Sequence, residues 1–157
     1  KGLGGGIIPQ AAVIGRAELN EIGEIPVRDL ALGHYTHEKS PVGAAAARAT
    51  LDTIIEEDLV SRSRDLGAWW KSELSTALHD LTAVREIRQI GLMIAIELES
   101  PQLADRAMYE ALRMGLSFKV GAETNLVLFP PLNIDTHLLD QATEILTNAI
   151  SQAAANM

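Results

Sequence analysis

Cysteine is missing from all 157 residues, which removes disulfides, thiolate nucleophiles and thiolate metal ligands, and suits a cytoplasmic protein. Basic residues are in short supply. Thirteen stand against 21 acidic ones, for a net charge of −8, and they form no cluster, so nucleic acid and anionic membrane surfaces are not expected partners. No apolar run approaches the roughly 18 residues a membrane-spanning helix needs, and no signal peptide precedes the fold. Aromatic residues are few, at 4%, within an apolar content of 47% that is ample for one core. Several catalytic patterns are absent too: there is no HExxH spacing and no Gly-x-Ser-x-Gly elbow. There is no starting methionine either, and a chain opening on Lys-Gly-Leu-Gly reads as part of something longer.

What is present is concentrated at the start. Lys1-Gly2-Leu3-Gly4-Gly5-Gly6-Ile7-Ile8-Pro9 puts a lysine in front of a glycine-rich turn. Glycine reaches backbone conformations closed to other residues and lets other atoms come close to the chain. A lysine amine is inert while protonated, but burial or nearby cations lower its pKa until it forms an imine with a carbonyl group. A solvated lysine before a flexible loop fits the same residues. A phosphate-cradling P-loop does not, because there the lysine follows the glycines and precedes Ser or Thr.

Taken in order, Ile7 to Ile14 reads as a buried strand ending at Gly15, Arg16 to Asn20 as a short polar turn or helix, and residues 21–35 as loop. Ser40-Pro41 is a helix start, followed by an alanine-rich segment to about Glu56 with a small face of Gly43, Ala46, Ala47 and Thr50. Glu56-Glu57-Asp58 marks a break. A second helix to about Leu81 carries Leu66, Trp70, Leu74 and Leu78 as one buried stripe, with Trp69 beside it. Two strands, Val84 to Ile90 and Leu92 to Leu98, meet at Gly91. Pro101 opens a helix closed by Gly115; Leu116 to Val120 and Asn125 to Phe129 are short strands. Asp135 caps a last helix whose tail from Ala153 should fray. The order from residue 41 is an α+β layout, with helices packed over a small sheet. His34 and His37 resemble metal ligands, but they lie in the predicted loop without a third cluster to complete a site.

Four segments in succession resemble the class III aminotransferases. The opening lysine-glycine string with Ala12-Val13-Ile14-Gly15-Arg16 is similar to the segment around that family's cofactor lysine. Thr36-His37-Glu38-Lys39-Ser40-Pro41 stands where the family has a threonine before an Ala-rich helix. Ile90 to Leu98 resembles its Gly-Leu-Met strand, and Asn125 to Leu132 its segment ending in Pro-Pro-Leu. The resemblance implies a fold-type I enzyme using pyridoxal phosphate, whose complete chain is more than twice as long. Residues 1–40 would finish its large cofactor domain and 41–157 would form the C-terminal small domain, together an α/β protein. Lys1 would be the catalytic residue and hold the cofactor covalently; Thr36 would bind the cofactor phosphate of the partner subunit, so that a homodimer shares its active sites. The substrate would be a small-molecule amine or amino acid, and no metal is implied. The cofactor's other contacts in that family lie upstream of its lysine, so the 157 residues alone are expected to hold no cofactor and turn nothing over.

Two departures bear on substrate. The arginine that the family places ahead of its Pro-Pro-Leu, and that grips a substrate carboxylate, is replaced by Leu126, Val127 and Leu128. Glu38 and Lys39 replace two glycines beside Thr36; Lys39 would suit a phosphate or simply be solvated, and Glu38 would need a partner. Lyases and racemases of the same fold therefore compete with a transaminase, as does a non-catalytic oligomerisation domain.

Overall fold

A computed structural model describes residues 2–16, 18, 36 and 40–155. The chain divides into two compact units, Lys1–Glu57 and Asp58–Met157.

In the first unit Ser40 is extended and its Oγ accepts a hydrogen bond from the Gly43 N–H at 3.3 Å, with Pro41 at the first helical position. These residues start α1 (Pro41–Glu56) where the sequence places it. Ahead of it the glycine stretch folds into turns: the Gly5 N–H donates to the Gly2 carbonyl at 3.0 Å and the Ile8 N–H to the Gly4 carbonyl at 3.1 Å. The strand expected over Ile7 to Ile14 does not form. Residues 9–16 have no regular structure, and Ile7, Val13 and Ile14 stand in solvent. A buried strand needs a neighbour to pair its peptide groups, and among the described residues of this unit there is no other strand. The predicted loop over 21–35 lies outside the described residues.

The second unit begins at Asp58, whose backbone is left-handed (φ 46°), a conformation Asp tolerates better than most residues. It breaks the chain direction and α2 (Leu59–Ala77) follows. The helix stops short of the expected Leu81, but its leucine stripe carries on: Leu78 is buried from the position just past the helix end. β1 (Val84–Ile90) and β2 (Met93–Leu98) pair antiparallel, with Ile90 opposite Met93 across the two-residue turn Gly91-Leu92. Gly91 takes φ 55°, as a tight turn with glycine first requires. Gly67 of α2 meets this turn so closely that an added Cβ would lie 1.8 Å from the Gly91 carbonyl oxygen. Helix and hairpin thus touch backbone to backbone.

Helix α3 (Pro101–Arg113) is capped by the Ser100 Oγ, which accepts from the Leu103 N–H at 3.3 Å. It closes at Gly115 (φ 94°), with the Leu116 N–H reaching back to the Ala111 carbonyl at 2.9 Å. Then come β3 (Lys119–Gly121), β4 (Asn125–Leu128) and α4 (Thr136–Ala155). The tail does not fray at Ala153: that residue is buried in the core cluster, and packing holds α4 helical to Ala155. The strands form one antiparallel sheet in the order β1-β2-β4-β3. Ile94, Ile96 and Leu98 of β2 share a face with Leu126 and Leu128 of β4, and this face is sealed by Trp70 and Leu74 of α2, Leu103 of α3 and Leu139, Leu146 and Ile150 of α4. This is the α+β arrangement read from the sequence. Trp70 lies in the core, its indole N–H donating to Thr143 Oγ1 at 3.0 Å, whereas Trp69 is exposed at the rim.

Candidate functional site

The glycine turn is seated on α1. A Cβ at Gly5 (φ 66°) would lie 3.5 Å from Thr50 Oγ1, and one at Gly43 would meet the Gln10 amide oxygen at 2.2 Å. Gly43 is buried, and Ala46, Ala47 and Thr50 are the half-buried flank beside it. The small face read from the sequence is met by earlier residues of the same chain, Gly5 beside Thr50 and the Gln10 side chain beside Gly43. Gly4 is also fixed by size, since a Cβ there would sit 1.8 Å from the Ile8 carbonyl oxygen. Gly2 and Gly6 face open space, with nothing within 4 Å of where a Cβ would be. The turn is tight at Gly4 and open at Gly2 and Gly6.

Of the residues singled out in the sequence, Lys1 lies outside the described residues, as do His34, His37, Glu38 and Lys39. Thr36 stands in a turn and is exposed. Among the described residues no three His, Asp or Glu side chains gather where a metal ion could be held, and no helix is long and apolar enough to cross a membrane. Pyridoxal phosphate asks for an amine to bond with, flat room for its ring and donors for its phosphate. A lysine ahead of a glycine-rich turn and an exposed threonine are residue types that suit those demands.

The stretch where an arginine would grip a carboxylate is a core strand here. Leu126 and Leu128 are buried against Ile96 and Ile94, and Val127 lies on the opposite face between Ala95 and Lys119. On that face the sequence reading missed an ionic cluster. Arg88 of β1 hydrogen-bonds to Glu97 at 2.7 Å, to Glu86, and to the amide oxygen of Asn125, tying three strands together. Those bonds, Glu97 first and Glu86 next, hold the Arg88 pKa above its usual value. Its charge is engaged within the sheet. The strand register could have revealed it, because Glu86, Glu97 and Asn125 fall in one row across β1, β2 and β4. That pairing crosses 39 residues of sequence between Glu86 and Asn125, and strand periodicity alone does not fix it.

Residues 1–150 match the family described as aminotransferase class-III. The chain belongs to the class-III aminotransferases. Among characterised class-III relatives, the (R)-1-hydroxy-2-aminoethylphosphonate ammonia-lyase of Vibrio splendidus (strain 12B01) is 35% identical, over 97% of this chain and 32% of its own length. Ornithine aminotransferase 2 of Staphylococcus saprophyticus is 37% identical, over 92% of this chain and 34% of its own. The chain thus spans about a third of the length of the curated relatives it matches. Among solved structures, the ornithine aminotransferase of Toxoplasma gondii superposes with a TM-score of 0.86 over 98% of this chain and 36% of its own. At 24% identity that likeness carries the fold; the Toxoplasma protein holds PLP at partial occupancy in its active site.

Proposed function

We propose that the complete protein is a pyridoxal-phosphate-dependent aminotransferase, moving an amino group from a small-molecule amine or amino acid to a keto or aldehyde acceptor. It works in the cytoplasm as a homodimer whose active sites are shared between subunits. Residues 1–40 complete its large cofactor domain and residues 41–157 form the small domain. The observation that carries this reading is the match to the class-III family over residues 1–150 in a chain whose opening lysine leads into a glycine turn seated on α1. Bound pyridoxal phosphate supplies an electron sink that acidifies the C–H beside the substrate nitrogen. Lys1 would hold the cofactor through its amine, and that amine is the group that would take and return the proton as general base. The Thr36 hydroxyl would donate to the cofactor phosphate of the partner subunit.

A second reading has its own support. Leu126, Val127 and Leu128 offer no charge to a substrate carboxylate, and one relative matched over nearly the whole chain is an ammonia-lyase. Elimination of ammonia by the same cofactor is the reaction it favours. Profiling amine donors with the full-length protein separates the two. Transamination accumulates pyridoxamine phosphate and a carbonyl product from the donor. Release of free ammonia with the cofactor spectrum unchanged would replace the aminotransferase reading by the lyase one. Borohydride trapping tests the assignment of Lys1: the reduced cofactor should be recovered on the Lys1 peptide, and recovery on another lysine would remove Lys1 from the site.

A further inference from the structure

Two places in the second unit stand open. One is an apolar cavity of about 340 Å³ where the ends of β3 and β4 part beside α4. The other is the outer edge of β1, and its residues specify what they pair with. Both β1 and β3 are end strands of the sheet, but β3 is blunted by its length of three residues whereas β1 presents seven. The direction of the β1 peptide groups follows from the hairpin. Ile90 faces Met93 across a two-residue turn, and the pair closing such a turn exchanges hydrogen bonds. Pairs alternate from there, so Arg88 and Glu86 also bond to β2, whereas Gln89 and Ile87 turn their N–H and carbonyl groups outward. Among the described residues, the backbones of Ile87 and Gln89 find no other backbone partner.

Such an edge accepts another strand, and charges on it are the usual defence, because like charges placed directly opposite repel. Here the charges favour one partner. In a second copy of β1, set antiparallel about a two-fold axis at Ile87, Glu86 faces the copy's Arg88 and Arg88 faces the copy's Glu86. Ile87, with its groups outward, meets its own copy and exchanges both hydrogen bonds with it; Gln89 reaches the copy's Arg85. Shifting the axis by one residue sets Glu86 against its own copy or Arg88 against its own. Charge thus selects a single register. Glu86 is free to take part, its side chain being 58% exposed. Arg88 bonds to Glu86, Glu97 and Asn125, and a guanidinium has more N–H donors than these three bonds use. The bulge between Val84 and Glu86 ends the regular edge, so the contact is confined to a few residues, and its two-fold symmetry closes it as a pair.

We propose that β1 pairs with β1 of a second copy of this chain about a two-fold axis at Ile87, joining two four-stranded sheets into one through paired peptide groups and two Glu86–Arg88 ion pairs. Thr36, through which the homodimer proposed above would share its sites, belongs to the other unit. The edge contact is a separate one and brings in a further copy. So short an edge buries little surface, which makes the step weak and dependent on protein concentration. The inference stands on strand register and charge and is independent of the chemistry proposed for the protein.

The test uses the full-length protein. Glu86→Lys sets lysine opposite the copy's arginine, and Arg88→Glu sets two glutamates together, so two attractive pairs become repulsive in either variant. Each alone should raise the dissociation constant of this step, read by light scattering over a dilution series, by roughly tenfold. Mixed in equal amounts, the two variants should associate with wild-type strength, because each then meets an opposite charge; a merely structural defect is not mended by mixing. Glu86→Lys associating like the wild type would overturn the proposal, as would a mixture no stronger than either variant when circular dichroism shows both folded. Hydrogen exchange decides the matter if Arg88→Glu does not fold. The amides of Ile87 and Gln89 should exchange about tenfold slower in concentrated wild type than in Glu86→Lys, while those of Glu86 and Arg88, bonded to β2, stay alike. Equal rates at Ile87 and Gln89 in the two proteins would mean an edge open in both, or covered in both by its own chain, and would also overturn it. Neither measurement involves cofactor or turnover, so a failure here is distinct from a failure of the aminotransferase assignment.

Discussion

The two units of this chain are built on different principles. Asp58–Met157 buries ten large side chains almost completely, from Trp70 to Ile150, between one face of a sheet and three helices. Among the described residues of Lys1–Glu57 only two glycines, Gly4 and Gly43, are buried, while Ile7, Val13, Val42 and Ile55 lie open. The second unit is held by area removed from water, each buried leucine contributing roughly 2 kcal/mol. The described part of the first unit is held by turn hydrogen bonds and by contacts at its small residues. The residues proposed to hold the cofactor, Lys1 and Thr36, belong to the unit whose described residues bury no large side chain. On that proposal, a site that must admit a cofactor cannot fill its own space with leucine, and stability and function fall in different parts of the chain.

That contrast is sharpened by substitutions that act on one unit only. The largest effect expected is Lys1→Ala in the full-length protein. Transamination should fall by about 10⁴-fold, the upper range for losing a general base, while unfolding of the second unit, followed by Trp70 fluorescence, stays put. Next is Gly67→Ala, whose Cβ would be driven into the Gly91 carbonyl. Neither backbone can yield without moving helix or hairpin, so a loss of about 4 kcal/mol in urea unfolding is expected, far beyond the usual effect of alanine in a helix. Gly67→Ala at wild-type stability would show that the close contact between α2 and the hairpin is not a constraint.

Leu146→Ala should cost about 3 kcal/mol, since the leucine is wholly buried in α4 and its neighbours can collapse only partly. Smaller again is Trp70→Phe, which removes the N–H bond to Thr143 but keeps most of the apolar bulk. Thr143 still donates to the Leu139 carbonyl, so the expected loss is about 1 kcal/mol by thermal unfolding. The smallest stability change is at Gly5→Ala. A left-handed φ of 66° costs alanine about 1 kcal/mol locally, with no shift in the second unit's unfolding. The same variant should weaken cofactor retention, measured by absorbance after dialysis, and unchanged retention would argue that the turn does not shape the site.

Much of the second unit was legible because its signals are local. Ser100-Pro101, Gly115 and Gly91 each mark a boundary through their own backbone chemistry, and the structure places α3 and the first hairpin accordingly. The errors have a common cause. Ile7 to Ile14 has a strand's composition but no partner strand among the described residues of its unit, and composition cannot say whether a partner is present. Ala153 looked like a fraying tail, yet a buried contact with distant residues keeps it helical. Trp69 sits beside the stripe of α2 in sequence, and one residue of helical rotation carries it from the core to the rim.

By itself the sequence determined the family, the order of helices and strands from residue 41, and the candidate chemistry of Lys1, because these depend on residue type and near-neighbour spacing. Only the tertiary structure decided that Gly5 and the Gln10 side chain meet the small face of α1, that Arg88 is tied to Glu86, Glu97 and Asn125, and that the ends of β3 and β4 part around a cavity. Each of these joins residues far apart in the chain. Their meeting is fixed by strand register and by the packing of whole elements, which no local pattern encodes.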